Sequence, residues 1–359
     1  MTTTYIATHR LQNQHLTHTP FTRASAVASW LGAMQAQDYA HAKWAIGLRL
    51  PGATEADVEA AIDRGEIIRT HLLRPTWHFV APEDVRWMLA LSAPQIIRIC
   101  ALPYQRMGLD DAIFRRSQAI LVKSLEGGQQ RTRAELMAEL EQSGIVADSI
   151  QAAHLMMRAE LDGVVCNGAR RGKQFTYALL DEWVPAGKHF DRPDAIAELA
   201  RRYFASHAPA TLHDFQWWSG LNMADARAGL EAAQPFLVSE TMDNKTYWTP
   251  SAFQARPVAP LTAHLLPAFD EFLVGYTDRD ASLDPSRKAH AILSNGIFKP
   301  VIAINGKVRG IWQRTFYKQT IILEKQLFND LSTAENQAFR EAAARFANYI
   351  GQPYSLLEK

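Results

Sequence analysis

Residues 149–180, SIQAAHLMMRAELDGVVCNGARRGKQFTYALL, decide the fold of this 359-residue chain. Ile150, Ala153, Met157 and Leu161 recur at helical spacing, which predicts one apolar helical face, and Gly163 stops the helix. VVCN, the turn GARRGKQ and FTYALL then alternate as a β-hairpin with a basic tip. Upstream, FRRSQAILVKSLEG predicts a helix ending at Gly127-Gly128. TRAELMAELEQSG predicts another, with Thr132 and Glu135 in capping-box spacing. Three helices followed by a hairpin is the order of a winged helix.

The same order recurs at 193–249. PDAIAELARRYFASH, TLHDFQWWSG and NMADARAGLEAA predict three helices, Asn222 capping the third. FLVSE, the turn TMDN and KTYWTP form the wing. A third copy is sketched at the N-terminus. Its helices span 5–16, 23–34 and part of 40–64, and its hairpin is IIRTHLL with TWHFVA. The copies share layout and no residues. Beyond about residue 255, HLLPAFDEFLVGY, PVIAINGKVRGIWQR and QTIILEK are strand-like, with NGK a tight-turn signal. A last helix, TAENQAFREAAARFANYIG, is capped by Thr333. The expected class is α+β: tandem winged helices packed with a small C-terminal β-barrel and a terminal helix. The expected divisions are 1–110, 111–185, 190–252 and 255–359.

Apolar residues make up 47 % and charged residues 21 %, proportions that suit packed cores. No run of about 18 uncharged apolar residues occurs, so no membrane span is expected. MTTTYIATHR lacks a hydrophobic signal core, so no export is expected. Cys100 and Cys166 are the only cysteines, which argues for a reducing cytoplasm. The net charge of +1 gives no bulk attraction to nucleic acid, so local basic stripes matter instead. SIQAAHLMMRAELDG carries Arg158 and His154 as its only cations, too few for base readout. Arg170, Arg171 and Lys173 crowd the hairpin tip and are phosphate-contact candidates. Lys307, Arg309 and Arg314 form a second basic stretch. Backbone contacts with little base-reading equipment suit a DNA enzyme better than a repressor; a regulator or scaffold is the alternative.

The chemistry centres on WLGAMQAQDYAHAKWAIG, residues 30–47. Val27, Trp30, Leu31 and Met34 form a buried stripe on a helix that Thr22 could cap. On a helix Gln35 and Gln37 would lie about 200° apart. If the helix ends near Met34 and the chain extends, alternation puts both amides on one face with Ala36 opposite. Such a pair can clamp a water. Asp38, next along, would point away.

LGAMQAQDYAHAKWAIGLRL, RTHLLRPTWHFVAPEDVRWML, HLLPAFDEFLVGYTDR and NGIFKPVIAINGKVRGIW together resemble the winged-helix DNA glycosylases of the AlkZ and YcaQ type, over about residues 10–320. That family removes alkylated purines and unhooks interstrand crosslinks. Its catalytic motif is Gln, an apolar residue, then Gln or Asp. Gln35-Ala36-Gln37 resembles the double-glutamine AlkZ branch, so the resemblance implies that Gln35 and Gln37 are catalytic. An N7-alkylated purine is already cationic and leaves without protonation, so an amide-positioned water suffices. Neutral bases should resist.

Arg69, His71 and Arg74 are expected to line the DNA cleft. Trp77 and His78 are core or cleft residues. Asp270 and Glu271 are expected to pair with Arg279. The expected partner is double-stranded DNA with alkylated purines, bound by a monomer in an open cleft at the nucleoid. No metal motif, phosphate loop or other cofactor signature occurs, so no cofactor is assigned.

Overall fold

The computed structural model describes residues 2–253 and 261–358. The chain opens with α1 (Thr3–Asn13), α2 (Ala24–Leu31), β1 (Met34–Gln35), α3 (Tyr39–Gly47), α4 (Glu55–Asp63), β2 (Ile68–Leu72), β3 (Thr76–Val80) and α5 (Pro82–Arg106). The second stretch holds α6 (Asp111–Leu125), β4 (Arg131–Thr132), α7 (Arg133–Gln142), α8 (Ser149–Leu161), β5 (Val165–Asn167), β6 (Thr176–Leu179) and α9 (Leu180–Trp183). The third holds α10 (Arg192–His207), α11 (Leu212–Ser219), α12 (Met223–Ala233), β7 (Leu237–Met242) and β8 (Lys245–Pro250). The last holds β9 (Ala263–Leu266), α13 (Glu271–Val274), α14 (Lys288–Ala291), β10 (Val301–Ile304), β11 (Lys307–Tyr317), β12 (Thr320–Leu327), α15 (Thr333–Ile350) and β13 (Tyr354–Glu358). The mixed α+β class is as expected. The division expected at residue 255 lies outside the described residues.

Local chemistry sets the boundaries. Thr132 and Glu135 make the capping box of α7, and Asn222 caps α12 by accepting from Asp225 N–H. Two expected caps shift. The residue before α2 is Arg23, which makes no side-chain cap, and Ser332 rather than Thr333 caps α15. The apolar stripe of α8 also differs: Ile150 is exposed, while Ala152, Leu155, Met156 and Ala159 turn inward. Met157 and Leu161 of the expected stripe are buried as well, so the spacing holds along the later turns and fails at the exposed first turn. HLLPAFDEFLVGY is strand only as far as Leu266; Asp270 then caps the single turn of α13.

The expected barrel is instead an open five-stranded sheet, ordered β13-β12-β11-β10-β9. Its edge strand β13 runs parallel to β12 and follows the helix expected to be the last element. The sheet need not close on itself because α15 covers it. Phe339, Phe346, Leu265, Ile302 and Trp312 share one core with Trp44 and Phe79 of the N-terminal stretch. By length and composition α5 could cross a membrane, but it bridges two cores: Val85, Met88 and Leu91 enter one, Ile96 and Cys100 the other. Both cysteines are buried.

Candidate active site

α2 stops at Gly32, whose φ of +78° turns the chain sharply. A Cβ here would only touch the Trp218 ring, at 3.4 Å, so the turn needs glycine for its conformation. Residues 34 and 35 then pair with β3, Met34 opposite Phe79 and Gln35 opposite His78. The extended chain puts Ala36 wholly inside. Gln35 is 8 % exposed, and Gln37 is open to solvent. Both amide oxygens are held from the turn end of the β2–β3 hairpin. Arg74 Nη2 donates to Gln35 Oε1 at 3.1 Å, and Trp77 N–H donates to Gln37 Oε1 at 3.4 Å. Asp38 is occupied elsewhere: it caps α3 by accepting from His41 N–H.

Arg74 is half-buried and also donates to the Trp218 and Trp217 carbonyls, at 2.9 and 3.3 Å. Burial lowers its pKa, while the negative charge of Glu271 acts against that shift. The end of α11 is brought close by Gly220, where a Cβ would lie 2.2 Å from the Leu73 carbonyl oxygen. Glu271 is 1 % exposed and accepts from Gln35 N–H at 3.0 Å and Trp218 Nε1–H at 2.9 Å. Its neighbour Asp270 binds the buried Arg49 through two contacts, at 2.9 and 3.0 Å. The acids therefore do not pair with Arg279, which donates to the Leu273 and Thr277 carbonyls. His78 lies opposite Gln35, buried, its Nδ1 2.9 Å from the Thr76 carbonyl oxygen. Burial first, then the Arg74 charge, push its pKa well below the ordinary value, so the ring is neutral.

The remaining candidates separate. Arg69 is 5 % exposed, so its expected DNA contact is replaced by internal partners. It donates to the Ala36 carbonyl and to Asn167 Oδ1, and lies between the Trp77 and Phe175 rings. Burial draws its pKa down to about 10. His71 is likewise buried, with Nδ1 2.8 Å from Glu160. Arg170 is turned inward beside Tyr39 and Phe175, near Glu59 at 3.6 Å. Arg171 is exposed but paired with Glu135, and Arg309 with Glu335, at 2.7 and 2.6 Å. Lys307 donates to the Ala281 carbonyl. Lys173 stands exposed at the hairpin tip. Among the described residues no group of His, Cys, Asp and Glu could hold a metal. Reading the sequence alone missed Trp217, Trp218 and His207; the adjacent tryptophans pass for core, and nothing in their spacing ties them to residue 35.

The two amides thus sit on and just after β1, one buried and one exposed, within an α+β frame. The chain belongs to the DNA glycosylase AlkZ-like family, whose model matches residues 28–349, and is thus a DNA glycosylase. The interstrand DNA cross-link repair glycosylase of Streptomyces sahachiroi is 24 % identical over 373 residues, 95 % of each chain. The solved structure of the S. sahachiroi DNA glycosylase AlkZ superposes with a TM-score of 0.81 at 20 % identity, covering 99 % of both chains.

Proposed function

We propose that this enzyme is a monofunctional glycosylase that hydrolyses the N-glycosidic bond of cationic N7-alkylated purines in double-stranded DNA. Gln35 and Gln37 position the water, as in the double-glutamine branch of the family. The observation that carries this reading is the extended Gln35-Ala36-Gln37 segment, its oxygens gripped by Arg74 and Trp77 N–H and its outer amide in solvent.

An amide is neither an acid nor a base near neutral pH. It can orient a water and lend a carbonyl dipole to positive charge on the sugar. Glycoside hydrolysis ordinarily takes two carboxylates, one to protonate the leaving group. A cationic purine needs no such proton. Neutral purines, lacking that advantage, are left intact. Unhooking of crosslinks by the same chemistry is supported by the relative's name and requires a cleft open to bulky adducts.

The sequence of α6, β4, α7, α8, β5 and β6, with the sheet ordered β4-β6-β5, supports reading 111–185 as a winged helix. The helices and hairpin of 190–252 support a second, and those of 1–110 a third. DNA contact falls to the cations that reach solvent: Arg74, Arg171, Lys173 and Arg309.

The test is incubation with duplex carrying N7-methylguanine, followed by chromatography of released base. Wild-type enzyme is expected to release it, and Gln37→Ala to be about 100-fold slower or worse. Binding to this duplex without release of base would overturn the substrate assignment.

A further inference from the structure

We propose that Glu271 is a positioning residue for the glycosylase reaction, acting through the backbone of Gln35. It can act in this way only if Gln35 is a catalytic amide. Glu271 lies sealed beneath the amide strand. Its Oε1 accepts from Gln35 N–H at 3.0 Å; its Oε2 accepts from Trp218 Nε1–H at 2.9 Å and lies 3.4 Å from His207 Nε2.

The donor inventory explains why a carboxylate stands here. The Gln35 and Trp218 groups can only donate, and a carboxylate, which only accepts, selects the His207 tautomer with its proton on Nε2. Three donors thus converge on two acceptor oxygens. A glutamine at 271 would offer one oxygen and one NH2, setting a donor against a donor on one side. The carboxylate is itself immobile. Asp270, one residue before, is fixed through two contacts to the buried Arg49, at 2.9 and 3.0 Å. Trp218 also packs against the Gly32 turn that launches the amide strand. Gln35 is therefore held twice: Arg74 sets its side chain, and Glu271 sets the backbone that carries it.

Displacing a water-orienting group by about 1 Å can cost on the order of 100-fold in rate. Glu271→Gln is expected to lower single-turnover kcat on N7-methylguanine duplex by about 10- to 100-fold. KM and affinity for undamaged duplex should hold, while the melting temperature falls, because one buried donor is left mismatched. Comparison with Gln35→Ala separates the two claims. If Gln35→Ala keeps the wild-type rate, the catalytic reading of Gln35 fails. If Gln35→Ala is slow and Glu271→Gln slows it no further, Glu271 acts through Gln35. If Glu271→Gln matches wild type, or its loss multiplies with that of Gln35→Ala, the positioning role is overturned. Should Glu271→Gln not fold, Trp218→Phe removes one of the donors that fix the carboxylate. Its kcat should fall about 3- to 10-fold with KM unchanged, and an unchanged kcat would overturn the role equally.

Discussion

Arg69 and Gln37 are both polar residues in blocks that a sequence reader marks as functional, yet they sit in opposite surroundings. Arg69 is enclosed, and its guanidinium clamps the Ala36 carbonyl from inside. Gln37 faces water. Arg69→Ala is expected to destabilise the fold by about 2–4 kcal/mol, because it strands buried acceptors. Gln37→Ala should move stability by under about 0.5 kcal/mol while removing activity. Denaturant titration beside the release assay checks both. A second expectation concerns pH. The amides do not titrate, and His78 stays neutral because its pKa lies well below the usual value. The rate on N7-methylguanine should therefore be flat from about pH 6.5 to 8; a bell-shaped profile would point to a titrating acid or base. That the helix ends before Gln35 and the chain extends there was legible from the glycine and the amides that interrupt the apolar stripe. The internal fate of Arg69 and His71 was not, because a charged side chain in a strand gives no sign of which partners lie across the fold.

At the scale of elements, signals local to a few residues read better than packing faces. The capping box at Thr132, the Asn305-Gly306 turn and the αL glycines at 220 and 351 all follow from backbone chemistry local to a few residues. The exposed Ile150 and the late strand β13 depend on what comes to lie opposite, which spacing does not encode. The barrel was wrong for the same reason: five strands meet α15 and the N-terminal core, so no closure is needed. The α2–β1 turn launches the proposed catalytic segment. Gly32→Ala should lose at least about 1 kcal/mol of stability from its positive φ. It should also lower kcat if the strained φ shifts the strand that carries Gln35. Thermal melting and single-turnover kinetics together check this, and an unaffected kcat would separate the turn from the site.

Across the whole molecule, one core packs the N-terminal stretch against the C-terminal sheet and α15, and His41 and His264 are buried beside it. Burial is the main cause that lowers the pKa of His41 to about 4 and of His264 to about 3, with nearby arginines adding to it. The unfolded values lie near about 6.5, so below that pH the unfolded chain binds more protons. Stability is complete above about pH 6.5 and is lost as pH falls toward 4, by about 1.4 kcal/mol per pH unit for each histidine. Melting temperatures from pH 7.5 to 5 test this; a flat profile would contradict it. The central claim is that neutral amides hydrolyse a bond whose leaving group brings its own charge. Its most direct test is single-turnover base release from matched duplexes bearing N7-methylguanine or neutral hypoxanthine, by wild-type enzyme and by Gln35→Ala/Gln37→Ala. The account predicts release of N7-methylguanine alone, slowed on the order of 1,000-fold or more in the double variant. Equal release of hypoxanthine, or a double variant as fast as wild type, would contradict it.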